Sequence, residues 1–408
     1  MPLPDALGLV CATTVHAAVP VPRFDHAAMD GYAVRAADVA AAGDGAPVEL
    51  PVVGAVAAGD AAVPALAAGT AVRIMTGAPV PDGADTVVPF EWTDERTGRT
   101  GPVRVLRAAP AGRHVRRAGE DVAGGTAVAA AGAVLGPHHL GLLAAAGLPD
   151  VPVHPAPRVA VLATGAELVG AGAQLDDLPG QVVDSNTVAL VAAVRRAGAR
   201  AVLPGPAPDD TDLFLDRLQR AADAADLVVT TGGISAGDHD VVKAALGGRD
   251  EFWFGPVAVR PGRPQGCGAV RSGDGRTVPV VALPGTPVAA FTSWCLFALP
   301  AVRRLAGRPA GVARRLPLGV PVTAGPDRTS VLPATVDRAT GTVAPAGRRT
   351  DGAAGGPQRM TSADPAPGAG HSLRMLAAAD ALLLVPPQGR LLPAGTDVEV
   401  IPLEPEDR

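Results

Sequence analysis

Aromatic residues make up only 3% of this 408-residue chain, and Tyr32 is the sole tyrosine. Rings therefore cannot fill its interior, and with 48% hydrophobic residues the core must be built from Ala, Val and Leu. Cysteine is scarce as well. Cys11, Cys267 and Cys295 are scattered and form no CxxC pair, which excludes a disulfide framework or thiolate zinc site and reads as a reduced, cytoplasmic compartment. Cys267 is expected to be a small buried hydrophobe. No basic stripe occurs and the net charge is −5, so nucleic acid is not an expected partner. Residues 122–149 carry no Asp, Glu, Lys or Arg, yet Pro137 and repeated glycines break them. No uninterrupted apolar run reaches the ~18 residues of a membrane span, so no membrane is expected. The first residues show no basic region followed by an apolar core, and no signal peptide is read there.

Glycine and proline are abundant, with 50 and 42 residues, which forecasts many turns and short strands. The length implies two to four domains. Ala6, Leu7 and Val10 fall at helical spacing and predict a short N-terminal helix. Short Val-rich segments between residues 34 and 117 predict a small β domain inserted into a discontinuous N-terminal domain, 1–33 and 118–155. Residues 156–306 alternate strands with helices, predicting a central three-layer α/β domain with a mostly parallel sheet. Pro287 suits a first helical position, and Pro300 is expected to end or kink that helix. Residues 307–408 predict a C-terminal β-barrel-like domain, with 341–370 as a long loop. The fold class is thus multidomain α/β and β.

The densest chemistry lies between Asp226 and Asp240. The apolar run Leu227 to Val229 predicts a buried strand, Thr230 to Gly233 a glycine turn, and Val241 to Leu246 a helix. Glycines let backbone N–H groups approach an anion, and a following helix offers its N-terminal donors, so phosphate is the natural guest. Asp238 and Asp240 would repel it unless a divalent cation with oxygen ligands sits beside it. The alternative is a tight turn with an N-capping aspartate. His239 in this loop reads as a hydrogen-bonding residue rather than a metal ligand. Glu167, Asp184, Asp209 and Asp240 all follow predicted strands, so one crevice could gather them. Arg260 and Arg263 sit on a proline-stiffened loop, and their planar forks suit an oxyanion. Earlier in the chain, Asp30 and Thr76 fall in stiff turns, and Arg116, Arg117, Glu120 and Asp121 form a charged cluster that could equally be a solvated surface.

In order, these motifs resemble the molybdopterin molybdenumtransferase family, MoeA and the E domain of gephyrin. Residues 23–33 resemble its AMDGYA motif, 73–88 its IMTGAPVPxGAD loop and 117–121 its RxGED turn. Residues 231–240 resemble TGGxSxGxxD, 260–264 KPGKP and 283–288 LPGNPV, with arginine standing at both loop lysines and Thr286 at the usual asparagine. The resemblance implies a transferase that inserts molybdate into adenylylated molybdopterin with release of AMP, with Mg²⁺ as the metal. It implies a homodimer whose site is shared between subunits, and contacts with molybdopterin adenylyltransferase and molybdoenzyme chaperones. By the same resemblance Asp30, Thr76, Asp121, Asp240, Arg260 and Arg263 are catalytic, the first three coming from the facing subunit. Glu167, Asp209 and Asp240 would hold the cation. Glu167, Ser185, Asn186, Asp209, Gly232, Gly233, Ser235, Gly237, Pro284, Gly285 and Thr286 would bind the cofactor. A second reading keeps the fold but makes it a molybdopterin-binding scaffold or carrier. A generic nucleotide hydrolase is disfavoured because no GxxxxGK[ST] loop is present.

Overall fold

The structure is a computed structural model that describes residues 1–43, 45–60, 62–94, 101–174, 180–235, 240–311, 313–346 and 372–403. The chain divides into two compact units, Met1–Val153 and His154–Arg408.

In the first unit the Gly31–Val34 strand lies between Ala71–Ile74 and Thr86–Pro89, antiparallel to both, and Val52–Val56 runs parallel to Ala71–Ile74 on the far side. Each face of this sheet has its own core, one around Ala33, Val72 and Ile74, the other around Tyr32, Val34 and Val88. That alternation is the period of a strand buried on both faces. The predicted N-terminal helix does not form. Leu3–Asp5 make one 3₁₀ turn and Val10–Cys11 a short strand whose Cys11 amide donates to the Ala133 carbonyl at 2.9 Å. Pro2 and Pro4 lack amide donors, and Gly8 takes φ +75°, which together stop a helix from propagating.

The second unit is built on a six-stranded sheet ordered Arg200–Val202, Arg158–Ala163, Leu227–Thr231, Thr277–Leu283, Pro264–Arg271 and Phe252–Pro256. The first four strands are parallel to one another, and the last two are joined on by antiparallel pairings, Pro264–Arg271 alone running against the rest. Alternate residues feed opposite layers. Val159, Val161, Leu227 and Val229 pack with the Ser185–Arg196 helix, while Ala160, Leu162 and Val228 pack with the Thr211–Ala224 and Val241–Leu246 helices. At the antiparallel edge, Phe254 covers Gly266 and Phe252 covers Gly268, so scarce rings fill the space left by strand glycines. Cys267, opposite Trp253 in the register, faces the other way and is exposed, contrary to its expected burial. Cys295 is the buried thiol of this unit, pushed up to about 12 by desolvation.

Pro300 does not end its helix. An α-helical segment, Pro287–Ser293, widens into a π turn over Trp294–Ala298 and continues as Leu299–Leu305. The wider turn accommodates a residue that cannot donate to the helical ladder. This 19-residue helix is long and apolar enough to cross a membrane, but half of it is buried, with Trp294, Cys295, Ala298 and Val302 in the core.

The expected barrel is also corrected. Among the described residues the C-terminal strands follow an open path, Val259–Arg260, Thr329–Asp337, Ala381–Val385, Asp397–Pro402 and Arg314–Pro317, with Thr342–Pro345 also pairing Thr329–Asp337. Closure is not needed to cover this sheet. One face has its own core around Leu332, Leu383 and Val400, whereas Val331, Leu382 and Ile401 join the core of the Trp294 helix. The strand Thr342–Pro345 falls inside the expected long loop, of which residues 347–370 lie outside the described residues.

Candidate active site

All four parallel strands end at the same side of their sheet, and a crevice of about 590 Å³ opens there. Glu167, Asp209 and Asp240 line it, as do Asn186, Gly232, Gly233, Ser235, Gly285 and Thr286, with Pro284 beneath them. Asp184 does not. Its Oδ1 accepts the Thr187 amide at 2.9 Å and caps the Ser185–Arg196 helix, and Ser185 is the first residue of that helix rather than part of the crevice wall. Gly237, Asp238 and His239 lie outside the described residues.

The glycine turn is held by close approach. Gly232 takes φ +93°, and a Cβ there would stand 2.6 Å from the Thr164 carbonyl oxygen. Gly285 packs directly on Gly232, its added Cβ falling 3.3 Å from the Gly232 Cα. Gly232 does not offer its own N–H to an anion, because that amide donates to the Leu283 carbonyl at 3.1 Å. The following helix, Val241–Leu246, has Asp240 at its N-cap position, and the Asp240 side chain makes no capping bond. An aspartate at that end works against a phosphate on the helix donors.

A buried hydroxyl ties the two turns together. Thr231 Oγ1 donates to the Pro284 carbonyl at 2.9 Å and accepts from Asn186 Nδ2 at 3.0 Å, and the same amide nitrogen donates to the Gly285 carbonyl at 2.7 Å. Asn186 thus uses its amide nitrogen to join helix and turns.

The carboxylates are arranged separately. Asp209 Oδ2 accepts the Ala166 amide at 2.9 Å and pins the turn after the Arg158–Ala163 strand. The Glu167 carboxylate folds over Gly165, where a Cβ would lie 2.5 Å from Oε2. Among the described residues no three His, Cys, Asp or Glu side chains are grouped closely enough to hold a metal ion. An all-protein cage of Glu167, Asp209 and Asp240 therefore does not fit.

Along one flank runs the loop Arg260 to Pro264. Pro261, Gly262 and Pro264 line the crevice, while Arg260 and Arg263 are exposed beside it. Arg260 belongs to the strand that pairs with Thr329 and Ser330 of the C-terminal sheet, and the Val257 amide donates to the Arg263 carbonyl at 2.8 Å. The loop is strung between two sheets. Gln265 and Ser293, which pack behind it, were not among the residues singled out from sequence. A polar residue between proline and glycine in a strand was the only local signal.

In the first unit the structure brings Asp30 and Thr76 together. Asp30 Oδ1 accepts both the Thr76 amide at 2.6 Å and its hydroxyl at 2.7 Å, which holds the Asp30 carboxyl below the usual range. Beside them the two motif loops join, with the Ala27 amide donating to Ala78 O and the Gly77 amide to Ala27 O. Asp25 accepts the Ala118 amide at 2.7 Å and an Arg117 guanidinium bond at 2.6 Å, in that order the causes of its lowered pKa. Asp121 is exposed at the end of this turn.

Residues 1–147 match the family described as the MoeA N-terminal region (domain I and II), and residues 160–304 one described as a probable molybdopterin binding domain. The chain is 42% identical to molybdopterin molybdenumtransferase 2 of Mycobacterium tuberculosis, over 98% of this chain and 94% of that protein. It is 39% identical to molybdopterin molybdenumtransferase 1 of the same organism, over 74% of this chain and 73% of that one. The molybdopterin biosynthesis MoeA protein of Pyrococcus horikoshii superposes with a TM-score of 0.78 at 30% identity, covering 99% of this chain and 94% of that structure.

Proposed function

The chain belongs to the molybdopterin molybdenumtransferase family, and we propose that its crevice is where molybdate is inserted into adenylylated molybdopterin, giving molybdenum cofactor and AMP. One observation carries this reading. The crevice that holds the glycine turn and the Pro284 to Thr286 turn also holds three carboxylates, and an arginine loop flanks it. Dithiolene sulfurs of the pterin supply the soft ligands to molybdenum, so the protein needs no cysteine cluster. Its part is to orient a phosphoanhydride and an oxyanion.

In this reading Arg260 and Arg263 receive molybdate through their guanidinium forks. Ser235, the Asn186 oxygen and the Pro284 to Thr286 turn contact the pterin phosphate or ring. Mg²⁺ bound with the substrate fits the separated carboxylates, because magnesium keeps several waters and takes one or two carboxylates plus phosphate oxygens rather than a protein cage. Asp240, with Glu167 or Asp209, is the pair we assign to it. Asp30, Thr76 and Asp121 act from the facing subunit of a homodimer, and the scattered cysteines favour a cytoplasmic enzyme.

The test is AMP release from adenylylated molybdopterin at fixed Mg²⁺, with and without molybdate. Molybdate-dependent release is expected from the parent protein, and its loss in Asp240→Ala. Tight binding with no AMP release under either condition would overturn the enzymatic reading in favour of a carrier.

A further inference from the structure

Behind the arginine loop sits a buried polar pair that does not itself line the crevice. Gln265 is 5% exposed and Ser293 1% exposed. Gln265 Nε2 donates to the Gly262 carbonyl at 2.8 Å and to Ser293 Oγ at 2.6 Å. A carbonyl can only accept, so the amide nitrogen and not the oxygen must face Gly262. Gly262 itself takes φ +92°, and a Cβ there would lie 2.7 Å from Ser293 Oγ. The loop backbone is therefore drawn against the Pro287–Ser293 helix at the one residue able to come so close.

The consequence is geometric. Gly262 stands between Pro261 and Arg263, and the helix it rests on begins directly after the Pro284 to Thr286 turn, so one amide sets the separation of two crevice walls. Without it, Arg260 and Arg263 remain attached through the Val257 to Arg263 bond and the pairing with Thr329 and Ser330, but the turn between them loses its support.

We infer that Gln265 and Ser293 are positioning residues for the oxyanion substrate, bracing Gly262 so that the arginine loop presents its two guanidinium groups at a fixed distance from the Pro284 to Thr286 turn. This inference rests on the reading that the loop receives molybdate. It assigns to Gln265 no contact with substrate, which separates its expected effect from that of Arg263.

The experiment uses the full chain with Gln265→Met, which keeps the length of the side chain and removes its donors, and Ser293→Ala, which removes one acceptor and carries the test should the first variant fail to fold. Arg263→Ala is the reference. Initial rates of AMP release are measured against molybdate and against adenylylated molybdopterin, and amide exchange is followed over residues 257–266. In Gln265→Met we expect the KM for molybdate to rise roughly tenfold, the scale of a loop displaced by a fraction of an ångström, with the KM for adenylylated molybdopterin unchanged. Amide exchange at Val257 should quicken, because its bond to Arg263 still forms but opens more often once the turn is unbraced, and Ser293→Ala should show smaller changes of the same kind. Faster exchange with an unaltered molybdate KM would reduce the pair to a structural support and overturn the positioning role. Unaltered exchange in both variants would overturn the brace itself. Should Arg263→Ala leave the molybdate KM unchanged, the loop is not the oxyanion site, and that failure belongs to the functional reading while the exchange result still decides the brace.

Discussion

Two adjacent threonines at the end of the central strand should respond in opposite directions to the same substitution. Thr231 is 1% exposed and its hydroxyl joins Asn186 to the Pro284 carbonyl. Valine in its place preserves shape and strand propensity but leaves the buried Pro284 carbonyl without that donor, while Asn186 keeps Gly285 as its acceptor. An unsatisfied buried group costs about 1–3 kcal/mol, which is the destabilisation expected of Thr231→Val. Thr230 is fully buried, and among the described residues its hydroxyl has no hydrogen-bond partner. It faces the opposite layer, in register with Leu162 and Ala282. Thr230→Val exchanges a desolvated hydroxyl for a methyl group and should be neutral or stabilising by about 1 kcal/mol. The neighbours should thus differ by roughly 1–4 kcal/mol. Urea unfolding followed by both tryptophan fluorescence and circular dichroism measures this, two probes being needed because a chain of several domains can unfold in steps. The KM for adenylylated molybdopterin should rise in Thr231→Val only, since only that hydroxyl holds the Pro284 to Thr286 turn. Equal destabilisation by the two substitutions would refute the reasoning, because it would mean that Thr230 also has a partner or that the Thr231 junction contributes nothing.

Gly232→Ala should cost roughly 2–4 kcal/mol, combining a strained backbone with a clash against a carbonyl that cannot rotate away. Gly275→Ala is the control, at φ +84° with nothing within 4 Å of an added Cβ, and should cost only about 1 kcal/mol in thermal melts. Acid sensitivity is expected from Asp226, whose carboxyl is held below its ordinary value first by the Arg158 side chain. A lowered carboxyl contributes stability that is complete above its unfolded pKa of about 4 and is lost as pH falls through the lower folded value. Asp226→Asn should therefore lower Tm at neutral pH and flatten the fall in Tm below about pH 4, by under about 1 kcal/mol for a pair this exposed.

Much of this protein was legible in the order of its residues. Strands ending in Thr164 to Glu167, Thr231 to Gly233 and Pro284 to Thr286 are local signals, since alternation and turn residues are written within a few positions. Parallel strands then bring their carboxyl ends to one side, which is why Glu167, Asp209 and Asp240 could be expected in one crevice. Asp184 was expected there too, but its side chain is taken up in capping the Ser185–Arg196 helix. Other features depend on residues far apart in the chain. Helical spacing at Ala6, Leu7 and Val10 lost to short strand pairing across more than a hundred residues, because so short a helix has little stability of its own. The C-terminal strands need not close into a barrel, because one face of their sheet finds its apolar partner in the Trp294 helix. Where each hydrogen-bond donor points was also decided in three dimensions. The Gly232 amide goes to Leu283, the Asn186 nitrogen to Thr231 and Gly285, and the Gln265 nitrogen to Gly262 and Ser293. Sequence determines which residues can turn, cap and carry charge, whereas the partner of each buried polar group is set by whichever acceptor packing places within reach, since a buried donor left unpaired costs more than the local preference it overrides.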